Sequence, residues 1–280
     1  MLELECITAY SLVGRLGVWE PLLSRPQLLL ALHFSNTTAR QGFLPYPVLR
    51  SFLNLTSLTL SAYSIGNIGD QPLPPIPSLA SLCLSSCTID DLERFLPVGA
   101  GVNLLHLELH NNSCITNPST ITIPRHLEAQ LETLFDNRNH SLELSRLQYM
   151  TSLRTLHVSA ERFFYAQANM PPNLEHLSLS LCNVGGELAR KEIVDTVLNT
   201  MRPTFTSLRR LTAYVRATSL WNRLTAHSTA ELNRVGVQLV VRKVHSFPST
   251  YADPDTQSPL LLLPFARCSR SRIPSLQRND

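Results

Sequence analysis

The sequence predicts an α/β chain in which one strand-and-turn unit repeats and stacks as a solenoid. A curved parallel sheet would line its concave side, and irregular helices and loops its convex side. Three observations predict this. Leucine supplies 51 of the 280 residues, an excess that marks a repeating structural unit. Leucines and their apolar substitutes recur at offsets of zero, three, five and ten. The blocks carrying that pattern follow one another at near-even steps, inside the roughly 20–29-residue range of leucine-rich repeats.

The clearest block is Leu104, Leu107, Leu109, Asn112, Cys114, which reads L-x-x-L-x-L-x-x-N-x-C. Leu55, Leu58, Leu60, Tyr63, Ile65 and Leu79, Leu82, Leu84, Cys87, Ile89 precede it. Leu153, Leu156, Val158, Glu161, Phe163 and Leu174, Leu177, Leu179, Cys182, Val184 follow. Weaker members begin at Leu29 (Leu32, Phe34), Leu131 (Leu134, Asp136) and Leu208 (Leu211, Ala213). The steps between successive starts are 26, 24, 25, 27, 22, 21 and 34 residues. Off-register matches at Leu144 and Leu260 both fail at the tenth position.

The L-x-L core of each block is a strand's alternation, with both leucines on one face and the intervening residue on the other. The first leucine and the residue at plus ten turn inward too, so one unit cannot bury its apolar ridge alone. Stacking closes the core and sets the strands side by side. An Asn or Cys at plus eight can satisfy backbone groups where the chain leaves the strand. Cys87, Cys114 and Cys182 are therefore expected as small buried thiols.

The connecting segments follow in order. Leu2, Leu4 and Ile7 match the later part of a unit whose first leucine would precede Met1, so the chain is expected to be the C-terminal portion of something longer. Gly66 to Pro77 is rich in proline and glycine and predicts an extended connection without helix. Asp90 to Leu96 predicts a short helix with acidic residues at its positive end, stopped by Pro97 and Gly99. Leu127, Leu131 and Leu134 have helical spacing, which leaves Leu131 open between helix and strand. Glu187 to Met201 predicts an amphipathic helix and accounts for the 34-residue step. Ser219 to Asn233 predicts a helix and Gly236 to Val241 a buried strand, together a C-terminal cap over about 219–245. The repeat domain is thus 1–245. The Pro-, Ser- and Arg-containing tail, 246–280, is expected to be disordered, with Leu260 to Phe265 an apolar patch inside it.

Composition excludes several functions. A formal charge of +3 is too mild to argue for nucleic acid. No apolar run approaches the roughly 18 residues of a membrane span, and the first residues lack a signal-peptide pattern. Six cysteines without CxxC pairing suggest neither a disulfide scaffold nor zinc, and an intracellular, reducing location is expected. Nucleophile-elbow, zincin, P-loop and dinucleotide motifs are missing, so no catalytic residue and no cofactor is expected. His106 and His110 have the one suggestive histidine spacing, but strand rise separates them by about 13 Å, too far to share a metal.

Leu55 to Ser61, Leu79 to Ser85 and Asn173 to Leu179 resemble the irregular leucine-rich repeats of fungal F-box proteins, and Arg234 to Val240 is similar to the ending of that group. The resemblance covers roughly 1–245. In that family an F-box binds the Skp adaptor of a cullin-type ubiquitin ligase, while the repeats select the protein to be ubiquitinated. The resemblance therefore implies a non-catalytic protein-interaction module of the substrate-recognition kind. No F-box motif is recognisable in this sequence, so adaptor binding is not expected. Two other readings stay open: a truncated or degenerate repeat protein without a ligase role, and an enzyme with an unrecognised site.

The concave face is the candidate site for an unknown protein partner. Residues between and just after the ridge leucines should point outward there. They include His33, Thr59, Cys83, Ser85, Glu108, His110, His157, Ser178, Ser180, Thr212 and Tyr214. Glu108, His110, His157 and Tyr214 are the strongest contact candidates, because small hydroxyls seldom make hot spots. Cys83, Ser85 and Ser180 complete the expected contact set.

Overall fold

A computed structural model of the chain describes residues 7–10, 30–35, 49–66, 71–100, 103–114, 120–137, 142–181, 195, 206–215 and 229–243. Its strands are β1 (Ile7–Tyr10), β2 (Ala31–Ser35), β3 (Ser57–Ser61), β4 (Ser64–Ile65), β5 (Ser81–Ser85) and β6 (Thr88–Ile89). They continue with β7 (His106–His110), β8 (Thr133–Asn137), β9 (Thr155–Ser159), β10 (His176–Ser180), β11 (Arg210–Val215) and β12 (Gln238–Lys243). Short helices α1 (Leu92–Phe95), α2 (Arg125–Glu128) and α3 (Ala160–Ala166) lie between strands. Among the described residues the architecture is α/β, dominated by one parallel sheet of ten strands in the order β1-β2-β3-β5-β7-β8-β9-β10-β11-β12. β4 and β6 form a second, two-stranded parallel ladder.

Sheet order is chain order, and the register repeats. Leu58 lies beside Leu32 and Leu82, Leu107 beside Leu82 and Leu134, Leu177 beside Leu156 and Leu211. Each unit therefore sets its leucines against the same positions of its neighbours, and Leu58, Leu60, Leu82, Leu84, Leu107, Leu109, Leu156 and Leu177 are fully buried in one core cluster. The backbone repeats with them. At the entry to successive strands the carbonyls of Leu30, Thr56, Ala80, Leu105, Glu132, Arg154 and Glu175 each accept two N–H groups from the following unit. At the exit, Ala62, Ser86 and Asn111 occupy equivalent positions with φ of 61°, 53° and 51°. Each donates its N–H across to the next strand, to Ser85, His110 and Asn137 respectively.

Position plus eight works as the pattern requires. Asn112 Oδ1 accepts from the Cys87 N–H at 2.8 Å, and its Nδ2 donates to the Leu84 carbonyl at 3.0 Å. Cys87 Sγ reaches the Leu60 carbonyl at 3.4 Å in the same manner. Ile65, Ile89 and Phe163, at plus ten, are buried. Cys87 is a buried free thiol and Cys114 a half-buried one; Cys182 lies outside the described residues. The short helix expected near 90–96 is α1, where the Asp91 side chain accepts from the Arg94 N–H at 3.0 Å as its cap. The described part of 66–77 has no helix, but Leu73 and Ile76 anchor it in the core.

Several expectations need correction. The first strand is Ile7–Tyr10, paired Ile7 with Leu32 and Ala9 with Phe34, so Ile7 and Ala9 take the L-x-L positions rather than Leu2 and Leu4. Pairing with β2 decides this register, and it restores an even step. The helix suggested by Leu127, Leu131 and Leu134 ends at Glu128; Leu131 follows it as the buried first leucine of its unit, and Leu134 belongs to β8. Glu161 falls in α3, so this unit leaves its strand through a helix capped by Ser159. The strand expected to close the cap is not buried: Val237 is, but Gln238 is exposed and Leu239 to Val241 half-buried, because among the described residues β12 pairs with β11 alone.

β8 also carries an exception at its core. Asp136 takes the second leucine's place and is fully buried, balanced by Arg162 of the next unit, whose Nε lies 3.2 Å from Asp136 Oδ2. The expected helix over 187–201 falls outside the described residues except for Asp195, as does the tail 246–280; of the C-terminal cap, residues 229–243 are described, helical over 229–234. Among the described residues no helix is long and apolar enough to cross a membrane.

Candidate functional site

The face opposite the leucine core is built by the residues that alternate with the leucines. Parallel pairing lines them up in rows across strands. One row runs Thr59, Cys83, Glu108, Phe135, His157, Ser178, Thr212. The row two residues further contains Ser61, Ser85, His110 and Asn137 from β3 to β8, and Ser159, Ser180 and Tyr214 from β9 to β11.

These rows contain the expected contact residues, and the strand pairing brings Cys83, Glu108, His110, His157 and Tyr214 into one continuous patch. Their exposure differs from expectation. Glu108 is 8% exposed, His110 3%, His157 2% and Tyr214 3%. Cys83 and Ser180 are buried as well, and only Ser85 of the set is half-buried. The cause is lateral packing. The Phe135 ring stacks on His157 with centroids 3.9 Å apart and planes 8° from parallel, and it lies 4.8 Å from the His110 ring. Tyr214 closes the other side of His157 at 5.4 Å. Cys83 and Tyr214 are buried yet stand outside the leucine cluster, as a separately packed face requires.

Phe135 organises this patch, and the sequence pattern did not single it out. Its unit reads L-x-D rather than L-x-L, so the alternation that marks an outward residue is broken at Phe135. The signal available was its position one residue after Leu134, which puts an aromatic ring in the centre of the row.

Glu108 is the polar hub. His110 Nε2 lies 3.1 Å from Glu108 Oε2, and Cys83, the register partner of Glu108, donates its thiol to the same carboxylate. One donor atom from each of Cys83, Glu108 and His110 falls within 4.8 Å of the other two. No linear spacing reveals this trio, since Cys83 sits one unit before the other two. Burial first, and then the Glu108 charge, raises the Cys83 thiol well above its ordinary pKa, so the free thiol is no nucleophile at neutral pH. Burial likewise pushes Cys87 up to about 11 and drives His157 down to about 3, the latter helped by His110. His33 is lowered by burial, and its Nε2 lies 3.2 Å from Ser61 Oγ. His106 and His110 are the first and last residues of β7, and His106 is lowered by burial against the opposing pull of Glu132 and Glu108.

The arrangement sets a neutral thiol beside a carboxylate and an imidazole, and a second imidazole, His157, that burial makes a very weak base. Its chemical capacity is that of a rigid, mostly desolvated ledge with half-exposed Thr59, Ser85, Phe135 and Ser178 along it. No protein-family model matches this sequence, and no curated protein matches it either.

Proposed function

We propose that this chain is a leucine-rich-repeat solenoid acting as a non-catalytic protein-binding module, the substrate-selecting repeat region of an F-box-type ubiquitin ligase component. The observation that carries the module reading is the sheet itself: ten parallel strands in chain order, each laid on the last in one register. A face built this way offers many shallow contacts on one stiff platform, which suits a protein surface better than a small substrate. The ligase role rests on the resemblance of 55–61, 79–85 and 173–179 to fungal F-box repeats.

Burial of Glu108, His110, His157 and Tyr214 changes how this reading is tested. Replacing them would disturb the platform rather than a partner's footprint. The informative positions are the half-exposed hydroxyls in the same row, Thr59 on β3 and Ser178 on β10. A Thr59→Arg, Ser178→Arg double variant puts bulk and charge on the face at small folding cost. Proteins co-purified with the wild-type chain should be depleted at least tenfold with the variant, at a Tm within a few degrees of wild type. An unchanged set of captured proteins would remove this face as the binding surface.

A further inference from the structure

We propose that Cys83, Glu108 and His110 form a binding site for a divalent first-row transition ion, zinc by its donor set, on the face of the sheet opposite the leucine core. The inference is independent of any protein partner.

Geometry carries it first. Glu108 and His110 are two apart on β7, so their side chains share a face. Cys83 is the register partner of Glu108 on the adjacent strand β5. Three ligand atoms of three different types thus converge within 4.8 Å of one another, from the rigid interior of a sheet. Zinc–ligand bonds of about 2.0–2.3 Å require these atoms to close further, by changes within the reach of side-chain torsions.

Chemistry selects the ion. A thiolate, an imidazole nitrogen and a carboxylate suit zinc, whereas magnesium and calcium favour oxygen donors alone. Charge agrees. One thiolate and one carboxylate balance a divalent cation, so the loaded site is neutral, as burial demands. On binding, the thiol proton of Cys83 leaves to solvent, its sulfur bonds the ion, and His110 contributes a nitrogen lone pair.

The metal-free arrangement also leaves a deficit. His110 is buried, and its Nδ1 has no hydrogen-bond partner. Among the described residues, the one side chain within ion-pair distance of the buried Glu108 is His110, a cation only when protonated, and Glu108 pulls on His106 without contact. A metal ion would supply the positive charge that this carboxylate lacks. Three protein donors leave a fourth tetrahedral position for water or an incoming ligand atom.

The test uses the full chain, reduced and stripped with a chelator, titrated with Co²⁺ as a spectroscopic stand-in for zinc. One equivalent should bind and produce a sulfur-to-cobalt charge-transfer absorption in the near ultraviolet. Cys83→Ser should abolish that absorption, while Cys114→Ser should keep it. Glu108→Gln should weaken binding at least tenfold without removing the band at saturation. X-ray absorption of the zinc-loaded wild-type chain needs no variant, and should count one sulfur among nitrogen and oxygen donors. No charge-transfer band, a band that survives Cys83→Ser, or a shell with no sulfur or with several would each overturn the site.

Discussion

The imidazole of His157 lies flat on Phe135 with Tyr214 on its other side, and burial holds its pKa near 3 against an ordinary 6.5. Between those two values the unfolded chain binds a proton that the native chain refuses. The stability that follows from a neutral His157 is complete above about pH 6.5 and is lost as the pH falls toward 3, with a slope of up to about 1.4 kcal/mol per pH unit. The titratable groups facing it are His110 from β7 and Tyr214 from β11. His33 and His106 act in the same direction, so the informative quantity is a difference between proteins. With chelator present, His157→Phe should flatten the fall in denaturation midpoint below pH 6.5. Parallel profiles for variant and wild type would show that this ring is not buried neutral. Asp136 illustrates the same economy at a single position: a carboxylate where the pattern calls for leucine, tolerated because Arg162 meets it.

Among the elements, the strand exit is where side-chain chemistry is least replaceable. Asn112 satisfies one N–H and one carbonyl of the preceding unit, both inside the protein. Asn112→Ala would strand the Cys87 N–H and the Leu84 carbonyl, and should cost about 2–4 kcal/mol, readable as a lower urea midpoint at unchanged m-value. A loss under about 0.5 kcal/mol would mean that water replaces the amide. This element was legible in the sequence because its asparagine stands at a fixed offset from leucines that announce the strand. The leucine rows were legible for the same reason: each residue reports on its own strand. The metal-like trio was not, since Cys83 joins Glu108 and His110 through parallel register, a relation between units. Nor was the burial of the opposite face, which depends on Phe135 filling the space between histidines that neighbouring strands contribute. The first strand escapes a leucine pattern, because isoleucine and alanine fill the same role there.

At the scale of the whole molecule, each inner strand of the sheet is held by the strand before it and the strand after it. Protection should therefore decline from the middle outward, because strands at the ends of the order have fewer paired neighbours. Amide exchange followed by mass spectrometry should find the slowest peptides in β5 to β10 and faster ones in β2 and β12. Equal protection from end to end would point to a single indivisible cooperative unit. Core continuity supports a shared transition in the middle, because the leucines of adjacent units bury one another.

The repeated register makes neighbouring strand units alike at their edges. Ser57 meets Ser81 on one side of β5 as His106 meets Ser81 on the other, so both flanks of that unit present interchangeable seams. A tandem copy of its coding segment, inserted in frame, would find matching carbonyls upstream and matching amides downstream. The shared register would therefore accept one further strand unit without changing the backbone pairing on either side of it.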